Sequence, residues 1–186
     1  MTEKLMNFLP KYIPGIIAGT KTWTRRLKKA GEHSWCRFEN YENQGIDQIC
    51  RQDNSIKFQV GEVRQVAVAG EPVWYCSKCK KEAANGCKCS LVDDWRVLRI
   101  KILSIKPEEN LTRITNADAI AEVGEGFKYP KQVFFSDFAE CYWDKIPEEL
   151  FAKEKKKIEE CSILAQRLLA IGWNPLEWPI EFEVVE

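Results

Sequence analysis

From Trp95 to Ile105 the chain alternates, with Leu98, Ile100 and Ile102 on one side and Arg99 and Lys101 on the other. A period of two sends successive side chains to opposite faces of a strand. This segment therefore needs an apolar core on one face and water on the other, and Pro107 ends it. Trp178 to Val185 alternates apolar and charged residues in the same way, predicting a final strand. Ile56–Glu62 followed by Val63, Val66 and Val68 predicts strand, turn, strand about Gly61, and Lys4–Leu9 predicts a short first strand. A chain built on such strands buries them against helices, and the helix signals are present.

Pro10 suits the first turn of a helix, where a missing N–H costs nothing. Tyr12, Ile13, Ile16 and Ile17 follow at helical spacing, and Gly19 supplies the stop. Thr115 and Asp118 come close to a capping box for a helix through Glu122, stopped by Gly124 and Gly126. Ser136 is expected to cap a helix from Asp137 to about Lys145, with Phe138 and Tyr142 on one face. Pro147, Glu148 and Glu149 open the longest predicted helix, to about Ile171, with an apolar stripe of Phe151, Ile158, Cys161, Ala165 and Leu168. Lys28 to Ser55 shows no sustained period and reads as a long loop with weak strand content around Trp35–Tyr41. At 186 residues this predicts one α+β domain, residues 1–186, with insertions at 74–92 and 147–172.

The 28 basic side chains balance 28 acidic ones, which excludes coating of long duplexes by overall charge and confines any nucleic-acid role to a local patch. No apolar run approaches the ~20 residues of a membrane span, and Met1–Leu5 lacks the charged-then-apolar layout of a signal peptide. A cytoplasmic, reducing compartment is expected, where cysteines serve as metal ligands or buried thiols rather than disulfides. His33 is the only histidine, which excludes multi-histidine metal sites.

Four of the eight cysteines are clustered: Cys76 and Cys79, then seven residues, then Cys87 and Cys89. A C-x2-C turn converges two sulfurs on one ion, and thiols two apart in an extended segment point the same way. Four thiolates suit tetrahedral zinc at ~2.3 Å from each sulfur. Lys78, Lys80, Lys81 and Lys88 offset the negative charge of such a centre, and nothing nearby supplies catalysis. A structural zinc knuckle inserted between two strands is the expectation, with disulfides or unliganded thiols as the alternatives. Cys36, Cys50, Cys141 and Cys161 are dispersed, and Cys141 and Cys161, on predicted helices, read as buried small hydrophobes.

The densest chemistry lies in Gly19-Thr20-Lys21-Thr22-Trp23-Thr24-Arg25-Arg26, with three cations, three hydroxyls and an indole in eight residues. Lys21, Arg25, Arg26, Lys28 and Lys29 form a patch able to hold phosphates, Trp23 has a face on which a base can stack, and Thr22 and Thr24 can bond to a base edge or a 2′-OH. The plainer alternative is a solvated basic strand edge, with Trp23 in the core and the arginines paired to acids.

This stretch resembles the G-x-K-T-x-T-R-R signature of the ASCH domains, relatives of the PUA RNA-binding fold. Later segments agree in kind and order. Phe58–Glu62 resembles the family's turn before a barrel strand, and Leu111–Gly124 its I-T-x-x-D-A-x-x-E-G helix. Phe138–Trp143 resembles its helix bearing a Phe and a following Trp, and Asn174–Phe182 its closing N-P-x-x-W-x-I-x-F strand. The nearest variety is the small ASCH protein common in bacteriophages and prophages. The resemblance implies a small PUA-like β-barrel with flanking helices and a cleft beside the Gly-Lys-Thr turn.

Two uses of that cleft follow from the resemblance. One is binding of RNA or a modified nucleotide, with Gly19, Lys21, Thr22, Trp23, Thr24, Arg25 and Arg26 as the ligand-binding set. The other is hydrolysis of an N4-acylated cytidine by a Lys, a Thr three residues later and a Glu on a following strand. Lys21 and Thr24 match by position. Arg96–Ile105 offers no carboxylate for the third role, leaving Glu62, Glu181 or Glu183 as geometric substitutes. Some family members are linked to RNA cleavage, for which no residue set is visible. A phage accessory protein acting by protein contacts, through the 147–171 helix, is a further alternative.

Overall fold

The computed structural model describes residues 4–35, 46–83, 89, 94–125, 127–142, 145, 148–149 and 173–185. In chain order the strands are β1 (Leu5–Asn7), β2 (Trp23–Leu27), β3 (His33–Trp35), β4 (Gln48–Cys50), β5 (Ile56–Gln59), β6 (Val63–Val68), β7 (Glu71–Pro72), β8 (Trp74–Cys76), β9 (Trp95–Val97), β10 (Arg99–Ile105), β11 (Glu109–Asn110) and β12 (Leu176–Val185). The described helices are α1 (Ile13–Ile17), α2 (Asn116–Val123) and α3 (Pro130–Tyr142). The architecture is α+β: a curled seven-stranded sheet, a half-barrel compatible with a small β-barrel, beside two smaller sheets, β3–β4–β5 and β8–β9.

β12 organises the large sheet. Ile180 to Val185 pair antiparallel with β10, while Glu177 to Glu181 pair antiparallel with β2, and Leu176 and Glu177 pair with β11. β10 passes the sheet on to β6, which lies parallel to β1. Pro179 has no N–H to donate, and its carbonyl accepts from the Lys106 N–H at 2.9 Å. The expected alternation holds from Glu181 onward. Before that it fails, because Glu177, Trp178, Pro179 and Ile180 are all buried.

Two apolar clusters account for that burial. One fills the curl of the sheet, with Ile100, Ile102, Trp178, Ile180 and Phe182 at its centre. The other joins α2 and α3 through Ala119, Val123, Phe134, Phe138 and Trp173. Tyr12 packs against both clusters and marks the seam between them.

Local signals set the element ends. Pro10–Tyr12 forms a turn of 3-10 helix before α1, and Gly19 at φ +72° reverses the chain. The Thr115–Asp118 capping box is complete, with both reciprocal bonds made, and Gly124 at φ +90° ends α2. Arg99 and Lys101 lie opposite buried Ile100 and Ile102, as the alternation predicts.

Three expectations need correction. The 28–55 stretch is not a loop throughout, since β3 pairs there with β4 and β4 with β5; short strands supported by cross-strand pairing leave little periodicity to read. The α3 helix starts at Pro130 rather than at Ser136, because a proline at the first helical position has already set φ and Ser136 is carried in mid-helix. Cys141 is exposed rather than buried, being near the end of α3. Among the described residues no helix is long and apolar enough to cross a membrane. The predicted 147–171 helix lies outside the described residues except for Glu148 and Glu149, and Cys36, Cys87, Cys161 and Trp143 also lie outside them.

Candidate functional site

At the seam marked by Tyr12 lies a cavity of about 250 Å³. Phe8, Tyr12, Phe134, Phe138 and Tyr142 supply aromatic walls, and Lys21, Thr24, Arg26, Glu122 and Asp137 bring polar groups to it. Lys21 reaches it because the chain doubles back after α1. The Gly15 carbonyl accepts from the N–H groups of Thr20 (2.9 Å) and Lys21 (3.1 Å). Thr22 then ties the strand to its neighbours, its N–H donating to the Ala121 carbonyl and its carbonyl accepting from Phe182. Lys21 is thereby enclosed between α1, α2 and β12.

Lys21 is only 3% exposed. Its ammonium donates to the carbonyls of Trp23 (2.8 Å) and Glu122 and to the Glu122 carboxylate at 3.4 Å, which commits all three donors. It also lies over the Tyr12 ring, 4.6 Å from the centroid. Burial pulls the Lys21 pKa down to about 8, against the raising influence of Glu122. Burial likewise pushes the Glu122 carboxyl up, although Lys21 and Arg25 pull the other way. The two groups form a buried pair whose proton is held less firmly by lysine than in water.

Arg25 has a different task. Its guanidinium donates to Glu177 at 2.5 Å and to Glu109, and lies 3.5 Å from Glu122 and 3.8 Å from Asp118. Burial works against its charge, but Glu177, Glu109 and Glu122 outweigh it and hold the group above its usual pKa. Glu177 is fully buried and its pKa is pushed up to about 8 by burial; Arg25 opposes this, while Glu122 and Glu109 add to it. Arg25 is thus the hub of four carboxylates, with little capacity left for a phosphate.

On the other side of the cavity, Asp137 accepts from the Lys11 ammonium and the Tyr12 hydroxyl. Arg26 lies at the cavity edge, donating to the Asn7 carbonyl at 2.6 Å with its guanidinium 5.1 Å from the Phe8 ring centroid. Its Nε is buried with no hydrogen-bond partner among the described residues.

Of the sequence-selected residues, Lys21, Thr24, Arg25 and Arg26 line the cavity, whereas Gly19, Thr22 and Trp23 do not. The Trp23 ring is covered by the Lys106 ammonium at 4.2 Å, so that face is occupied. The substitute acids lie elsewhere: Glu62 pairs with Lys4 and Arg64, Glu181 accepts from Ser104 and Glu183 is exposed. The acid beside Lys21 is Glu122, and sequence reasoning missed it. A signal existed. Glu122 follows Ala119 by three residues and precedes Val123, and Asp137 stands in the same relation to Phe134 and Phe138. An acid on the apolar stripe of a helix must be buried, and a buried acid needs a partner.

Comparison with protein-family models, curated proteins and solved structures finds no match for this chain. What the site does is therefore argued from its own chemistry.

A second cluster sits at the β8–β9 pair. The sulfurs of Cys76, Cys79 and Cys89 lie within 4.8 Å of one another. The turn that brings Cys79 back to Cys76 is closed by the Lys80 N–H donating to the Cys76 carbonyl at 2.9 Å, with Lys80 at φ +55°. Three sulfurs so spaced can hold a metal, since ligands at ~2.3 Å from a tetrahedral centre stand a little under 4 Å apart.

Proposed function

We propose that the cavity binds a nucleotide, free or as one unit of RNA, with its base between the aromatic walls. The observation that carries this reading is the meeting of five aromatic side chains with Lys21, Thr24 and Glu122 around one cleft. Mostly apolar pockets with a few convergent polar groups are where small ligands bind. At about 250 Å³ the space suits a single nucleoside rather than a run of bases. Arg26, at the cavity edge, and Lys11, which reaches the cavity's Asp137 and keeps donors to spare, are the cations placed to meet a phosphate, because Arg25 is committed to several acids. The resemblance of Gly19–Arg26 to the ASCH signature points the same way.

Calorimetric titration with cytidine 5′-monophosphate tests this. Thr24→Val is expected to weaken binding about tenfold by removing one hydrogen bond. Arg26→Ala is expected to weaken binding and to make it less sensitive to salt, by removing a cation beside the phosphate. Affinity and salt slope unchanged in both variants would remove the reading.

A second reading, hydrolysis of an N4-acylated cytidine, is favoured by one observation: Glu122 stands 3.4 Å from a lysine whose pKa is drawn to about 8. A neutral Lys21 can take a proton from water or from the Thr24 hydroxyl, and Glu122 then holds the ammonium that results. Binding stands ahead because the three Lys21 donors are already engaged. With N4-acetylcytidine the rate is expected to rise with pH to a plateau above about 8. It should vanish in Lys21→Met, and absence of turnover by the unmodified protein disposes of the reading.

For the cysteine cluster, the reading is a structural zinc ion on Cys76, Cys79 and Cys89, with Cys87 as fourth ligand. Purification without chelator is expected to yield about one zinc per chain, and Cys79→Ser to lose it together with much of the thermal stability. Metal-free protein with an unchanged melting temperature would exclude it.

A further inference from the structure

Nothing above gives Asp137 a purpose. It lies on α3 between Phe134 and Phe138, is only 6% exposed and lines the cavity. A carboxylate placed in an aromatic wall solely for stability would be a poor choice, since burial drives its pKa up even with Lys11 bound to it. Lys11 approaches one oxygen and the Tyr12 hydroxyl the other, so both oxygens are fixed in position. An ionised carboxylate has about four acceptor positions. With two used, two remain, one on each oxygen, in a plane set by Lys11 and Tyr12.

The cavity therefore has two polar poles separated by the Tyr12 ring. Lys21 lies over the face of that ring, and Asp137 takes its hydroxyl. The Lys21–Thr24–Glu122 pole is the closed one, all three residues being buried. Asp137 is itself buried, but its partner Lys11 has a side chain 47% exposed, so solvent is reached past the Asp137 pole. A base held at the closed pole leaves its sugar toward Asp137, from which phosphates can reach solvent, Lys11 and Arg26.

We propose that Asp137 reads the ribose of the bound nucleotide, accepting one hydrogen bond from each hydroxyl of the 2′,3′-diol, and so selects ribonucleosides over deoxyribonucleosides. The inference rests on the nucleotide-binding reading and narrows it to a sugar. A carboxylate does this better than a neutral side chain because it only accepts, and two adjacent hydroxyls match its two oxygens. Positioning by Lys11 and Tyr12 means that the acceptors need not be ordered when the ligand arrives.

The experiment measures binding of cytidine, 2′-deoxycytidine and 3′-deoxycytidine to the full chain, unmodified and as Asp137→Asn. The unmodified protein is expected to bind cytidine at least about tenfold more tightly than either deoxynucleoside, the loss of one charge-assisted hydrogen bond. In Asp137→Asn the preference should shrink to within about threefold, cytidine losing most affinity and each deoxynucleoside, which keeps one of the two hydroxyls, losing less. Equal binding of all three nucleosides by the unmodified protein overturns the inference while leaving nucleotide binding intact. So does an Asp137→Asn variant that weakens all three alike, which would place Asp137 at the base. No binding of any nucleoside overturns both readings. The unmodified protein alone decides the matter if the variant fails to fold.

Discussion

Arg25→Ala is expected to destabilise the protein by about 3–5 kcal/mol, the cost of breaking a buried ion pair from one side. That is a large share of the ~5–15 kcal/mol that holds a domain together. The loss is severe because Arg25 serves Glu177, Glu109, Glu122 and Asp118 at once, and Glu177 has no access to water. Without the guanidinium, the buried carboxylates can only be neutralised by protons. The penalty should therefore be greater at pH 8 than at pH 5. Arg25→Lys should recover only part of it, since one ammonium cannot reach acids spread around a planar fork. Urea denaturation at both pH values measures this, and a midpoint unchanged by Arg25→Ala would show that the carboxylates do not depend on it.

The second large effect is a trough in stability near pH 8. Glu177 has a folded pKa of about 8, above the ordinary 4.5. From pH 4.5 to 8 the folded chain holds the proton more tightly than the unfolded one, so stability falls as pH rises through that window. Glu122, also raised by burial, adds to the same slope. Lys21 acts on the other side. Its folded pKa of about 8 lies below the ordinary 10.5, so the unfolded chain binds more protons between these values and stability recovers as pH rises. Carrying Glu177 from 4.5 to about 8 makes the acid-side slope worth on the order of 5 kcal/mol. Glu177→Gln keeps an acceptor for Arg25 without the charge. Thermal melts from pH 5 to 10 are expected to show that slope flattened and the variant more stable than the parent at pH 8. A parent whose stability rises steadily from pH 5 to 8 contradicts the account.

How far the site could be read in advance depended on where each residue's partner lies. Lys21, Thr24, Arg25 and Arg26 stand within six residues, and their density alone marks them. The Thr115–Asp118 cap is likewise local and formed where the pattern placed it, whereas the Trp95–Ile105 alternation is divided between β9 and β10, which pair in different sheets. Glu122, Glu177 and Asp137 meet Lys21, Arg25 and Tyr12 from more than a hundred residues away. No periodicity reports such a meeting, although an acid on an apolar face hints that one exists. Arg25 shows the limit from the other side. Its charge suggested a phosphate, and only the sheet register, which sets Arg25 opposite Pro179 on β12 and near Glu177, shows what it neutralises. Trp23 meets the same limit, since Lys106 arrives over its ring from beyond β10.

β12 pairs with β2, β10 and β11, and all three are translated before it. Until those ten residues leave the ribosome, β2 and β10 have each lost the neighbour that stitches them into one sheet, and Arg25 has no Glu177 to meet. Pairing partners some 150 residues apart also raise the entropic cost of closing the chain and slow the search. The half-barrel and its charged hub are thus assembled late and together. In a cell-free translation arrested upstream of Leu176, protease should cut β2 and β10 readily, and release of the arrest should protect both at once.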